Sequence, residues 1–167
     1  MAAQPIYEEV LETIGGYAII DSRNTSIMPT ARMAYGRLAA GDVSGAKTIL
    51  ELVKQDFRLR KQAGIYESFM LRAAAMVAAM EGDRERVLAS LSAAIDTGLR
   101  EVSIFREPAM AEYVGDPEFQ ALAIRLDEIL EEERRNTLQL ICFNNPTPDT
   151  WRPLPETCEG VEVNMDN

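Results

Sequence analysis

Two Gly-Asp pairs 41 residues apart, Gly41-Asp42 and Gly82-Asp83, punctuate the chain, and Gly115-Asp116 with Pro117 repeats the pattern 33 residues later. Glycine ends a helix readily because it adopts left-handed backbone at little steric cost, and aspartate accepts backbone N–H bonds at the start of the next helix. Proline is well placed in a first helical turn. This punctuation predicts consecutive helices joined by tight turns.

Apolar residues between these turns recur every three or four positions, which is the spacing of one face of an α-helix. Between 43 and 57 they form a single stripe of Val43, Ala46, Leu50, Val53 and Phe57. No stretch alternates apolar and polar residues convincingly, so we expect an all-α fold without a β-sheet. The predicted helical segments are 5–20, 29–40, 42–57, 65–81, 83–97 and a long one over 117–142.

The segment 65–81 carries alanine and methionine on several sides of the predicted helix, in addition to the stripe that contains Phe69, Ala73, Met76 and Met80. A helix that is apolar on most sides is enclosed by its neighbours. We therefore expect this segment to be the central helix of the fold.

The amino-acid composition excludes several classes of function. The 167 residues include no histidine, which removes Ser-His-Asp and Cys-His catalysis and histidine-ligated zinc. The formal net charge of −10 disfavours nucleic acid and anionic membrane surfaces as partners. Neither a phosphate-binding glycine loop nor a catalytic set is present, so we predict a protein that is not an enzyme and has no cofactor and no metal.

Two charged runs are predicted to be solvated rather than functional. The run 131–135 is three glutamates followed by two arginines, and adjacent residues on a helix point in different directions, so it is unsuited to holding a metal ion. The basic residues Arg58, Arg60 and Lys61 are predicted to lie at a wet helix end, where cations offset the helix dipole.

The N-terminal residues lack a basic region and carry Glu8 and Glu9, a pattern unlike a secretory signal peptide, and the sequence contains no apolar stretch long enough for a membrane span. These features predict a cytoplasmic protein. Because disulfides are rare in that compartment, Cys142 and Cys158 are interpreted as a buried thiol and a tail thiol, in preference to a disulfide.

The composition changes after residue 143, since four of the eight prolines lie in 144–167. We therefore divide the chain into one helical domain, 1–143, and an irregular proline-rich tail. The tail holds the single tryptophan, Trp151, among several other apolar residues, which is unusual for a solvating extension. We expect it to dock, with Trp151 as the anchor, on the protein's own helices or on a second copy.

Small residues occupy corresponding places in the two predicted helix pairs: Ala34 precedes Gly41-Asp42, and Ala75 precedes Gly82-Asp83. Together with apolar residues in each return helix, this pattern resembles tetratricopeptide-type (TPR-like) helical repeats, and 96–119 resembles the closing segment of such arrays. The spacing here is 41 residues, whereas the family repeat is 34. The resemblance implies a short solenoid of antiparallel pairs, 29–57 and 65–97, closed by 98–143.

The resemblance also implies a function. In such stacks the first helix of each pair lines a concave surface that holds another protein or peptide. The expected partner-binding residues are Arg32, Tyr35, Phe69, Arg72 and Met76, with Trp151 in the tail. Phe69 and Met76 also fit an ordinary core. The prediction is a non-catalytic interaction module or scaffold, either part of a larger regulatory protein or accessory to one.

A different function also fits the apolar centre. Ala73, Met76 and Met80 could leave room for an apolar small molecule, as in a helical sensor or carrier. A fully packed centre would argue against this alternative.

Overall fold

The computed structural model describes residues 27–143 and 153–161, and in these residues it contains helices and turns but no β-strand. The predicted all-α class is confirmed for this part of the chain. The predicted segment 5–20 and Trp151 lie outside the described residues. The α-helices are α1 Ile27–Ala39, α2 Val43–Gln62, α3 Ser68–Met80, α4 Arg84–Asp96 and α5 Pro117–Phe143. Short 3₁₀ helices span Val102–Arg106, Pro108–Tyr113 and Pro155–Thr157.

The first two Gly-Asp turns have the predicted geometry. Gly41 and Gly82 have φ angles of +83° and +71°, the left-handed region that glycine favours. The Asp42 carboxylate then accepts the backbone N–H of Gly45 at 2.9 Å, and the Asp83 carboxylate accepts that of Arg86 at 3.1 Å. Each turn therefore ends one helix and caps the next within three residues.

The third turn differs at its glycine. Gly115 has no positive φ, because the chain enters this turn from a 3₁₀ helix and has no long α-helix to terminate. The aspartate still caps the following helix, since Asp116 Oδ1 accepts the backbone N–H groups of Glu118 at 2.9 Å and Phe119 at 3.4 Å.

Helix α2 is longer than predicted and α3 is shorter. The basic run after Phe57 continues α2 to Gln62, because arginine, lysine and glutamine are good helix formers and suit a helix C-terminus. The helix is closed by Gly64 at φ +72°, with the N–H of Ile65 bonded to the carbonyl of Arg60 at 2.9 Å. The residues between the two predicted helix pairs, 58–64, are therefore largely helical.

Helices α1 to α4 pack in pairs, with α3 at the centre. Helix α1 packs on α2, and α4 packs on α3. Helix α3 also contacts α1, α2 and the 3₁₀ helix Pro108–Tyr113, so its predicted central position is confirmed. Its buried residues are Met70, Leu71, Ala73, Ala75, Met76, Val77, Ala78 and Ala79.

Aromatic residues from the segment after α4 and from the start of α5 form a cluster. The rings of Phe105 and Phe119 meet edge to face with centroids 5.1 Å apart, and Tyr113 lies 6.1 Å from Phe119. All three side chains are buried, and burial raises the pKa of the Tyr113 hydroxyl. Aromatic contacts of this kind contribute stability in addition to that gained by burying the apolar surface of the cluster.

The contacts divide the chain into two compact units, Met1–Leu122 and Ala123–Asn167. Helix α5 begins in the first unit and ends within the second. None of the described helices combines the length and apolar composition that crossing a bilayer requires.

A disulfide within the second unit joins Cys142, near the end of α5, to Cys158 in the tail, with 5.8 Å between their Cα atoms. The interpretation of these residues as two separate thiols is therefore wrong. It rested on an expected compartment, whereas pairing depends on whether the tail returns to the helix end after 16 residues. The cytoplasmic location stays a prediction.

Candidate interaction face on α1 and α3

The predicted partner-binding residues of the helical domain lie on two helices that pack against each other. Arg32 and Tyr35 are one turn apart on α1, while Phe69, Arg72 and Met76 follow one another at helical spacing on α3. Met76 is only 1% exposed and belongs to the core. The other four side chains are partly exposed, and we call these four residues the α1/α3 face.

Arg32 is held by a carboxylate from the segment that follows α4. Its Nε donates to Glu107 Oε1 at 3.0 Å, and its Nη2 bonds the same oxygen. Glu107 is only 9% exposed, so Arg32 pairs with a buried carboxylate. A buried carboxylate without a cation would be costly, which makes this pair a structural element.

Arg72 is held in a similar way by Glu101. Nη1 of Arg72 pairs with Glu101 Oε2, and the Ser103 hydroxyl donates to Oε1. The hydrogen bond from Ser103, followed by the bond and charge of Arg72 and the charge of Arg32, holds the pKa of Glu101 below its usual value. The Nε atom of Arg72 is buried without a hydrogen-bond partner.

The acidic partners Glu101 and Glu107 were missed by sequence reasoning. They flank the 3₁₀ helix Val102–Arg106, in a stretch that sequence periodicity treats only as a break between helices. The available signal was the position of two glutamates just before and just after a short apolar run. It could not be used without knowing that the following 3₁₀ helix, Pro108–Tyr113, packs against α3.

The Phe69 ring is contacted by Arg60 of α2, which is itself paired with Asp56. The Arg60 guanidinium carbon lies 5.7 Å from the ring centroid of Phe69, and Arg60 Nε donates to Asp56 Oδ2 at 2.6 Å. Arg60 and Asp56 are each 3% exposed. The predicted wet helix end is therefore wrong for Arg60, which turns inward, whereas Arg58 and Lys61 are exposed as predicted.

The pKa values of Lys54 and Arg84 are raised by the carboxylates with which these residues pair. Hydrogen bonds to Glu81 and then Glu51 raise the pKa of Lys54, and those to Asp116 and then Glu118 raise the pKa of Arg84. Such shifts favour the ionised form of a group that already has an opposite charge beside it. They are typical of structural ion pairs, whereas general acid and base groups are tuned toward neutral pH.

The run 131–135 is exposed along α5, which confirms its prediction as a solvated face. A shallow depression of about 540 Å³ on this helix is lined mostly by carboxylates, including Asp127, Glu128, Glu131 and Glu132. Within residues 27–143 and 153–161, no three acidic or cysteine side chains are grouped so as to hold a metal ion.

In comparisons with known proteins, the chain matches no protein family, no curated protein and no solved structure. The class that the described residues define is an all-helical protein. The TPR-like arrangement and the function that it implies stay predictions.

Proposed function

We propose that this protein is a non-catalytic interaction module that holds another protein or peptide on the α1/α3 face, as part of a larger regulatory protein or beside one. The observation that carries the proposal is the packing of α1 against α3, the first helices of two successive pairs. This packing supports a shared surface with Arg32 and Tyr35 on one helix and Phe69 and Arg72 on the other.

The chemistry of these four residues suits recognition. Tyrosine, phenylalanine and arginine are enriched in protein interfaces, where they combine a large contact area with directed hydrogen bonds. Arg32 and Arg72 are also held by Glu107 and Glu101. Side chains that are already ordered lose less conformational entropy when a partner binds.

The apolar centre favours this proposal over a small-molecule carrier. Ala73 is 0% and Met76 is 1% exposed, and α3 is packed on several sides. A carrier would need open space beside these residues. Neither residue lines the depressions described along α5.

A site-specific crosslinking experiment tests the proposed face. A photo-crosslinking phenylalanine analogue replaces Tyr35 in one variant and Tyr66 in another, and each full-length protein is irradiated in native extract. Tyr66 is a suitable control because it is an exposed tyrosine outside the face. We expect a discrete crosslinked polypeptide from position 35 and none from position 66.

Equal products at both positions, or no product at position 35 even from self-association, would contradict the proposal. Circular dichroism of both variants shows whether the helical fold is retained. A second comparison uses Arg72→Ala and Arg86→Ala in the position 35 background. Only Arg72→Ala should reduce crosslinking, because Arg86 lies on α4 outside the face.

We also propose that Trp151 anchors the tail on the protein's own helices or on a second copy. Since it is the single tryptophan, fluorescence reports its surroundings without interference. Docking predicts blue-shifted emission that resists quenching by iodide. A shift that grows with protein concentration would indicate docking on a second copy, and solvent-like emission at all concentrations would refute docking.

A further inference from the structure

The disulfide between Cys142 and Cys158 ties the described tail residues, 153–161, to the last turns of α5. We call these tail residues the strap. Both cysteine residues are partly exposed, so the disulfide is not enclosed in a core. Both cysteines lie within the second unit, Ala123–Asn167. The bond therefore constrains no residue of the first unit directly.

The backbone hydrogen bonds described for the strap stay inside it. The N–H of Thr157 bonds the carbonyl of Leu154 at 2.9 Å, that of Cys158 bonds Pro155 at 3.0 Å, and that of Val161 bonds Cys158 at 3.3 Å. These bonds shape a local turn. They do not attach the strap to α5.

Burial also contributes little to holding the strap. Residues 154–157, 159 and 160 are exposed, and Leu154 is 64% exposed. A space of about 410 Å³ is bounded by Gly160 and Val161 on the strap and by Leu138 and neighbouring charged residues on α5. Because little apolar area leaves water, the hydrophobic effect holds the strap weakly.

We propose that the Cys142–Cys158 bond is a redox-controlled latch that decides whether the strap lies on α5. A thiol reductant opens it by exchange: a thiolate attacks one sulfur of the bond, a mixed disulfide forms, and a second thiol resolves it. The products are two protein thiols and one oxidised disulfide of the reductant, with two electrons transferred. Released from α5, the strap uncovers Leu138 and Cys142.

Opening the latch leaves the helices in place. The backbone bonds of α5 are internal to the helix, and the buried aromatic cluster and the core of α1 to α4 belong to the first unit. The latch therefore controls the position of the strap while the helical fold persists. This inference does not depend on the proposed interaction function.

Limited proteolysis of the full-length protein with a glutamate-specific protease tests the latch. The strap contains two exposed sites, Glu156 and Glu159, and exposed Glu112 provides a reference outside it. The protein is digested in its oxidised form and after native reduction with glutathione, then quenched, fully reduced and analysed by mass spectrometry. We expect reduction to accelerate cleavage in the strap about fivefold or more, with cleavage at Glu112 unchanged.

Cys142→Ser and Cys158→Ser should each reproduce the reduced pattern without a reductant, and circular dichroism should show unchanged helix content. Unchanged strap cleavage after reduction would overturn the latch. So would two freely titrating thiols in protein purified without a reductant. A loss of helix content on reduction of the wild-type protein would also overturn it, by showing that the bond maintains the fold instead.

Discussion

The carboxylate of Asp42 accepts the backbone N–H of Gly45 at 2.9 Å and fills the space that a β-carbon on Gly45 would need. Such an atom would lie 2.8 Å from Asp42 Cγ and 2.9 Å from Nη1 of Arg37, which itself pairs with Asp42 at 2.6 Å. Glycine at position 45 therefore leaves room for the cap and for the Arg37–Asp42 ion pair. Its backbone is helical and needs no left-handed freedom.

Gly45→Ala is expected to change the free energy of unfolding by between a gain of about 0.5 kcal/mol and a loss of about 1 kcal/mol. Alanine improves helix propensity by about 1 kcal/mol, but it displaces the Asp42 carboxylate, and losing an N-cap costs about 0.5–2 kcal/mol. Urea unfolding followed by circular dichroism measures the change.

Gly36→Ala is the matched control, because a β-carbon at Gly36 meets nothing within 4 Å. It should stabilise the protein by about 0.5–1 kcal/mol. In an Asp42→Ala background, Gly45→Ala should also become stabilising. Equal gains for Gly36→Ala and Gly45→Ala in the wild type would show that the cap does not restrict residue 45.

Arg32→Ala is expected to destabilise the protein by about 1–3 kcal/mol, because it leaves the buried Glu107 carboxylate without this cation. Unfolding by urea at neutral pH gives the value. Arg134→Ala is the control, since its pair with Glu131 is exposed at 3.5 Å and should contribute between about 0 and 1 kcal/mol. A loss at Arg32 no larger than that at Arg134 would contradict the structural role of the Arg32–Glu107 pair.

Acid should weaken the fold partly through Glu101. Its folded-state pKa is below the ordinary value of 4.5, chiefly because of the Ser103 hydrogen bond, so its contribution is complete above that ordinary value. The contribution is lost as pH falls through the lower folded pKa. Thermal melts between about pH 6 and about pH 3 should therefore show a shallower decline for Glu101→Gln than for the wild type.

The control for this pH series is Glu128→Gln, which neutralises an exposed carboxylate on α5. It should leave the slope closer to that of the wild type. If Glu101→Gln and the wild type decline in parallel, the Ser103 hydrogen bond and the Arg72 pair of Glu101 do not contribute to the acid sensitivity.

Met76→Ala should cost about 2–5 kcal/mol, the range for truncating a fully buried large side chain to alanine. Met80→Ala, on the same helix but only partly buried, should cost less than half as much. Chemical unfolding of both variants gives the comparison. A negligible loss at Met76 would point to open space in the centre and would revive the carrier alternative.

Local features of this chain follow directly from neighbouring residues. The turns at Gly41 and Gly82 depend on backbone freedom and on capping by the next residue, so a short stretch of sequence contains the whole cause. The central position of α3 was also predictable, because a helix that is apolar on most sides can be stable only when it is enclosed.

The partners of the candidate face were less predictable. That Arg32 and Arg72 lie on first helices follows from helical spacing, but their pairing with Glu107 and Glu101 joins residues 75 and 29 positions apart. Nothing in the local pattern around Arg60 distinguishes it from its exposed neighbour Arg58. Its inward orientation depends on Asp56 and on the Phe69 ring of another helix.

The sequence by itself determined that the described chain is helical, where most of its turns lie, and that catalysis through histidine is excluded, because these properties depend on residue type and on spacing of a few positions. Only the tertiary structure decided which carboxylates hold the two arginines, which methionines are core and which cysteines are joined. These features depend on distances between residues far apart in the chain. Folding brings such residues together by burying apolar surface, and because the hydrophobic effect is non-directional, it does not specify from the local sequence which residues will meet.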